Sequence, residues 1–135
     1  MEIELWMVFE AVAATEDAVE DSMEEHLDKL ESESGVEIAE SNIDETEKIE
    51  NPTPDLEEGF SKVAECNLEV EGFDKAISLT FNYGPTYVNM EGPEKYELDL
   101  KEGQESLQNV ANVIHKYAQM GAGGVLVSKS REEVE

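Results

Sequence analysis

The 26 residues from Phe73 to Leu98, FDKAISLTFNYGPTYVNMEGPEKYEL, constrain the fold of this chain more than any other stretch. Apolar residues recur at helical spacing in the first part. Gly84-Pro85 then ends the helix, because glycine readily adopts positive φ at a helix end and proline cannot continue a helix. Val88 and Met90 follow at alternate positions, as in a strand. The stretch therefore predicts one helix-to-strand crossing.

Two other segments alternate apolar and polar residues and predict strands. The first covers residues 3–11. Its second face is also apolar in the middle, at Trp6 and Val8, which favours a central strand. The other covers residues 62–70 and places the side chain of Cys66 on its apolar face.

Residues 36–50 are weakly patterned, and we predict an edge strand that passes into a charged loop. Residues 51–55, Asn-Pro-Thr-Pro-Asp, follow it. Two prolines remove two backbone donors there and force extended or turn geometry. We expect these residues to be a short connection between two elements.

Two longer segments have the apolar spacing of amphipathic helices. The first covers residues 15–33, with Thr15 as the N-cap and acids in the first turn, where the helix dipole favours them. The second covers about residues 102–120. Its broad apolar stripe consists of Leu107, Val110, Ala111, Ile114, Tyr117 and Ala118.

The order strand, helix, weak strand, strand, helix, strand, helix predicts an α+β fold. We expect a ferredoxin-like βαββαβ sandwich, in which an antiparallel four-stranded sheet carries two crossover helices on one face, with an extra C-terminal helix. The single domain would cover residues 1–127, and residues 128–135 would form a flexible tail. The open sheet face would be covered by the last helix or by a second subunit. We expect a homodimer that buries Trp6 and Val8.

The segment KVAECNLEVEGFDKAISLTFNYGPTYVNMEGPEKYELDL, followed by LQNVANVIHKYA, resembles a group of small uncharacterised archaeal proteins. These carry a similar YGP-x-x-V-x-x-x-x-P segment before an amphipathic helix. The resemblance covers about residues 62–120 and depends mainly on Tyr83, Gly84, Pro85, Val88 and Pro93. It implies an archaeal host and carries over no functional residue.

A formal net charge of −25, from 34 acids and nine Lys or Arg, limits the partners of the chain. Phosphate backbones and anionic membranes both need a basic face, so neither nucleic acid nor a membrane is expected as a partner. Residues 1–50 carry −16 of this charge, which favours a basic protein as a partner. No apolar run approaches the roughly 20 residues of a membrane span, and the N-terminus lacks a basic signal-peptide region. We therefore expect a cytoplasmic protein.

Few residues of the chain favour catalysis. Cys66, His26 and His115 lie in no recognisable nucleophile motif, and no metal-ligating spacing occurs, so we predict neither a metal site nor a cofactor. The loop after the second helix is the best candidate for contact with a small polar ligand. Its candidate residues are Asn82, Tyr83, Gly84 and Tyr87.

Three functions remain open. The first is a non-catalytic binding or assembly module, a homo-oligomer that recognises a small ligand or a protein. The second is a small enzyme with a pocket near Tyr83-Gly84-Pro85, using His115, Tyr83 or Cys66. The third is an acidic partner of a basic protein, with mimicry of nucleic acid as one form of it.

Overall fold

The two strands with the clearest alternation form the middle of the sheet. In a computed structural model that describes residues 1–120, β1 (Glu2–Ala13) and β4 (Leu56–Glu71) are antiparallel, with Glu2 opposite Glu71 and Ala13 opposite Phe60. This arrangement confirms that β1 is a central strand, as its apolar faces predict, and it places β4 beside it in the interior of the sheet. The predicted tail, 128–135, lies outside the described residues.

The other three strands complete an open antiparallel sheet. β2 (Val36–Ile43) and β5 (Tyr87–Gly92) lie at its two sides, in the order β2-β4-β1-β5. β3 (Glu47–Thr53) pairs with the first part of β4. The fold is therefore mixed α+β with five strands in the sheet, and the expectation of four strands was wrong.

The additional strand covers residues 47–50, where a charged loop was predicted, and residues 51–53, where the prolines predicted only a connection. β3 runs through Pro52 and joins β4 by a turn at Pro54-Asp55. β3 is an edge strand, and proline is tolerated on an edge because its missing N–H is not required by a neighbouring strand. Asn51 has a φ of 49°, and the register with β4 shifts between Glu50 and Thr53. The prolines therefore mark an irregular hairpin.

The first two helices cover one face of the sheet. α1 (Glu16–Ser32) begins where the hydroxyl of Thr15 accepts a hydrogen bond from the Ala18 N–H, at 3.1 Å. α2 (Phe73–Tyr83) ends at Gly84, whose φ of 54° and ψ of 52° are left-handed, as the Gly-Pro pair predicts. Both helices pack on inward-facing residues of β1 and β4. The largest fully buried side chains are Phe9, Ile3, Leu5, Met7, Leu30, Leu68, Leu79, Val19, Val70 and Cys66.

The last helix, α3 (Leu100–Gln119), packs against α2 at the flank of this layer. Asp99 caps it by accepting a hydrogen bond from the Glu102 N–H at 2.8 Å. The Asn109 amide donates to Ser78 Oγ at 2.7 Å and to Asp74 Oδ1 at 3.1 Å. These contacts hold α3 on α2, on the helix side of the sheet, and not over the open face.

Candidate functional site

The loop after α2 is held to the sheet by its own backbone donors. The Gly84 N–H donates to the Thr80 carbonyl at 3.2 Å, and the Thr86 N–H donates to the Val8 carbonyl at 2.7 Å. The side chains of Asn82 and Tyr87 are exposed. The loop therefore offers side chains to a ligand, while these two backbone donors are already used by the fold.

Tyr83 lies apart from those exposed side chains, in a contact that joins α2 to the end of α1. Its hydroxyl donates to Glu33 Oε1 at 2.9 Å, and Lys75 Nζ lies 2.7 Å from Glu33 Oε2. The rings of His26 and Tyr83 meet edge to face at 5.2 Å. These residues form a polar clasp between the two helices.

The protonation states of the clasp residues follow from burial and from their partners. Burial, together with the Glu33 carboxylate, raises the pKa of Tyr83 to about 12, so its hydroxyl stays protonated. Hydrogen bonds from Lys75 and Tyr83 lower the pKa of Glu33, which keeps that carboxylate charged. Burial also lowers the pKa of His26. At neutral pH, Tyr83 is therefore a donor and Glu33 an acceptor, as their hydrogen bond requires.

The other two residues considered for catalysis lie elsewhere. Cys66 is a free thiol in the core, 1% exposed, and burial raises its pKa to about 11. A thiol with such a pKa is almost fully protonated at neutral pH and is a poor nucleophile. His115 is exposed on α3. The fold places Cys66, Tyr83 and His115 on three different elements.

An apolar groove runs between α2, α3 and β5. It consists of two adjoining cavities of about 250 and 530 Å³, which share Phe73, Ile77 and Val110. Leu5, Val88 and Met90 line the first cavity from the sheet. Cavities of this size and composition are typical of binding sites. We call this feature the apolar groove.

Ser106 lines the groove with a buried hydroxyl. The residue is 4% exposed, and its Oγ has no hydrogen-bond partner. Leaving a buried hydroxyl unpaired costs about 1–3 kcal/mol. The hydroxyl of Ser106 is thus a buried polar group without a partner at the contact between α2 and α3.

The apolar stripe of α3 faces outward. Three of its side chains follow at intervals of seven residues, and a fourth lies three residues beyond the last. Their exposed fractions are 90% for Leu100, 70% for Leu107, 49% for Ile114 and 45% for Tyr117. A helix normally buries such a stripe against a neighbour. Within the described residues, these four side chains have no such cover, whereas Val110 of the stripe lines the groove.

Most residues of the groove and of the stripe lie in parts of the chain that have no acids, and Asp99 lines one end of the groove. Residues 75–90 and residues 106–131 contain neither Asp nor Glu, although the chain carries 34 acids in 135 residues. We call the surface formed by residues 75–90 and 106–120 the acid-free face. The sequence signal for this face is the position of each acid along the chain, which the summed charge of residues 1–50 does not show.

The open face of the sheet has the opposite character. Glu69 of β4 lies between Glu4 of β1 and Glu37 of β2, so three carboxylates form one row across three strands. By strand register, no Lys or Arg of the described residues projects from β1, β2, β4 or β5 on this side. Like charges directly opposite one another destabilise a sheet. We call this surface the acidic face.

The predicted interface residues Trp6 and Val8 lie on the acidic face. Trp6 is half-buried between Asn67 and Asn89 of the neighbouring strands, and Val8 is 9% exposed. A polar pocket of about 290 Å³ adjoins Trp6. The Oδ1 atom of Asn67 lines this region, is buried, and has no hydrogen-bond partner. Val8 itself therefore exposes little surface, whereas Val12 and Tyr87, on the same side by register, are 47% and 66% exposed.

Residues 1–120 lack two further kinds of feature. No group of three or more His, Cys, Asp or Glu side chains is placed to hold a metal ion in that part of the chain. No helix there has both the length and the apolar character needed to cross a membrane.

Comparison with protein-family models gives a match, whereas comparison with curated proteins and with solved structures does not. No curated protein matches the chain. No solved structure matches it either. Residues 4–135 match the model of the MJ0538 family, which is named after a protein of the archaeon Methanocaldococcus. Because the match omits only the first three residues, the chain belongs to the MJ0538 family.

Proposed function

We propose that this protein is a non-catalytic assembly module that binds a protein partner through its acid-free face. The observation that carries the proposal is the outward apolar stripe of α3, in which Leu107 is 70% exposed. Single exposed apolar side chains are common, but a continuous patch of several hundred Å² usually marks an interaction site. The stripe adjoins the apolar groove through Leu107 and Val110, so the two form one surface.

The fold is consistent with such a role without specifying it. With β3 set aside as an added hairpin strand, the order β2-β4-β1-β5 supports a ferredoxin-like domain. Such a fold hosts many unrelated functions, so the proposal depends on the surface and not on the fold. We further propose a cytoplasmic location, because the acidic composition and the N-terminal strand suit one.

Site-specific photo-crosslinking tests this proposal. Replacing Leu107 by p-benzoylphenylalanine places a reactive group on the stripe. The control places the same group at Ile43, which is 48% exposed on a different surface. Irradiation of cells of the native host should give a defined protein adduct at position 107, identified by mass spectrometry and lost when Ile114→Glu is added. Equal adducts at positions 107 and 43, or none at 107, would overturn the proposal.

A second candidate function is binding of a basic protein to the acidic face. The row of Glu37, Glu69 and Glu4, with no cation opposite, favours it. A partner that supplies Lys or Arg side chains would relieve this repulsion. The affinity of such a complex should fall steeply between about 0.05 and 0.5 M salt, because exposed charges are screened. Binding that does not respond to salt, or to Glu69→Gln, would exclude this candidate.

The prediction of a ligand site at Asn82, Tyr83, Gly84 and Tyr87 remains a prediction. The exposure of Asn82 and Tyr87 supports it. The engagement of Tyr83 with Glu33 provides another explanation for that residue. The same holds for a small enzyme at this loop.

A further inference from the structure

We propose that the partner on the acid-free face is a second copy of this chain, and that the two α3 helices pack antiparallel about a twofold axis. The inference builds on the proposed function, since it names the partner of the same surface. It combines the charge distribution of the chain, the spacing along α3 and the position of one glycine.

Charge restricts how two copies approach each other. Each carries a formal net charge of −25, so most relative orientations oppose carboxylates to carboxylates. The acid-free face avoids this, because no Asp or Glu occurs in residues 75–90 or 106–131. A twofold contact brings the same patch of both copies together. For this chain, the acid-free face is the surface on which self-association meets the least repulsion.

The spacing along α3 is that of a helix–helix seam. Leu100, Leu107 and Ile114 repeat every seven residues, and Val110 and Tyr117 follow three residues after the last two of them. This is the heptad pattern by which two helices interlock side chains. Gln104, Ala111 and Ala118, which border the seam, are uncharged. From Gly103 to Ala118, the seam and this border therefore place no charge between two such helices.

An antiparallel register pairs large with small residues. If Leu107 packs against the Val110 position of the second copy, then Leu100 meets the Tyr117 position and Ile114 meets the Gly103 position. The space that a Cβ at Gly103 would occupy is bordered only by Leu98, at 3.8 Å, so it is open to an entering side chain. In this register, the acidic end of one helix lies near the end of the other helix that carries Lys116. The acids at that end are Asp99, Glu102 and Glu105.

The outer side of α3 alone is too small for a stable dimer interface, so the groove must contribute to the contact. A 20-residue helix is about 30 Å long and about 10 Å wide, so its outer side offers roughly 300 Å². A stable interface buries about 800 Å² on each partner. The remainder is available at the groove mouth and at the exposed Val88, Met90 and Leu98 beside it. The dimer contact thus covers the groove as well as the stripe.

Light scattering on the purified full-length chain tests whether the dimer exists and where its interface lies. The wild-type chain should have twice the monomer mass. Ile114→Glu should raise the dimer dissociation constant about 100-fold or more, because each copy would place a carboxylate in the apolar seam. Ile43→Glu is the matched control, since Ile43 and Ile114 are 48% and 49% exposed, and it should leave the dimer intact. Circular dichroism on each variant would show that it remains folded.

Disulfide formation tests the orientation. Leu100→Cys mixed with Tyr117→Cys should form a mixed disulfide, and neither variant should form one alone, because 17 residues separate these positions by about 25 Å along the helix. The native Cys66 is buried and does not compete. Crosslinking of Leu100→Cys alone would indicate a parallel pair and overturn the antiparallel arrangement.

The remaining outcomes separate the inference from the proposed function. A strictly monomeric chain that still gives a defined adduct at position 107 with another protein would overturn the self-association and keep the assembly role. A monomer with no adduct would overturn both. A dimer that is insensitive to Ile114→Glu but is broken by Trp6→Glu would place the interface on the acidic face and overturn the inference.

Discussion

The helix-covered side and the open side of the sheet are built from alternate residues of the same strands, yet their chemistry differs. Odd-numbered residues of β1 from Ile3 to Phe9 enter the core, whereas Glu4 and Glu10 project from the acidic face. The helix layer ends in the acid-free face, with its apolar groove and stripe. A uniform adaptation to salt would spread acids over the whole surface. Their absence from one flank is the observation on which the proposed contact at this flank depends.

The largest change in stability should come from substitutions at two consecutive residues of β1, whose side chains lie on opposite faces of the sheet. Leu5 is fully buried and lines the groove from below, whereas Trp6 is half-buried on the acidic face. Leu5→Ala should lower the free energy of unfolding by about 2–5 kcal/mol, because it leaves a cavity in the core. Trp6→Ala should cost less, since its site is open to solvent. Urea denaturation of both variants measures the difference, and equal losses would contradict this contrast.

The next largest change in stability should come from removing the buried hydroxyl of Ser106 at the groove. Ser106→Ala should raise the free energy of unfolding by about 1 kcal/mol, because it removes a polar group that has no partner in the folded state. Alanine also favours a helix interior more than serine does. Thermal and urea unfolding test this. Ser78→Ala is the contrasting variant: its Oγ accepts a hydrogen bond from Asn109, so it should destabilise. A destabilised Ser106→Ala would show that the hydroxyl is paired.

The clasp between α1 and α2 should make a smaller, pH-dependent contribution. Tyr83→Phe should cost about 0.5–1.5 kcal/mol at neutral pH, because it removes the hydrogen bond to Glu33, which lies near solvent. The lowered pKa of Glu33 contributes stability at pH values above the unfolded pKa of 4.5. This contribution is lost as the pH falls through the folded pKa. The raised pKa of Tyr83 contributes stability at pH values below the unfolded pKa of 10.0. This contribution is lost as the pH rises toward the folded pKa of about 12.

The measurement is the difference in stability between the wild-type chain and Tyr83→Phe across pH 3–11. This difference cancels the titration of the many other acids, which both chains share. It should be largest at neutral pH and shrink at both ends. A difference that stays constant with pH would show that the hydroxyl acts through packing alone.

Most of the elements were predictable from the sequence. The helices of residues 15–33 and 102–120 and the left-handed Gly84 followed from local periodicity and backbone preference, and the structure confirms them within two residues. β3 was not predictable by the same reasoning. Its prolines and charges are disfavoured in a central strand but permitted on an edge, and a sequence alone does not show which strands lie at an edge.

The candidate site was predictable in part. Periodicity identified the stripe of α3 from Leu107 to Ala118, but it does not say what covers an apolar face. The predicted contribution of Trp6 and Val8 to an interface followed from apolar residues on both sides of β1. Pairing with β4 and β5 already removes most of the surface of Val8. That burial arises from cross-strand neighbours, which are distant in sequence.

The smallest effect should come from the carboxylate row of the acidic face. Glu69→Gln should raise the free energy of unfolding by about 0.2–1 kcal/mol at low salt, because it removes a charge that lies between Glu4 and Glu37. Glu58→Gln is the matched control: Glu58 lies 2.6 Å from Lys48, so its charge has a partner and its removal should not stabilise. The gain from Glu69→Gln should disappear near 1 M salt, where screening reaches about 3 Å. A gain that persists at 1 M salt would mean that the residue acts through packing or hydrogen bonding, and the acidic face would then lose its electrostatic contrast with the acid-free face.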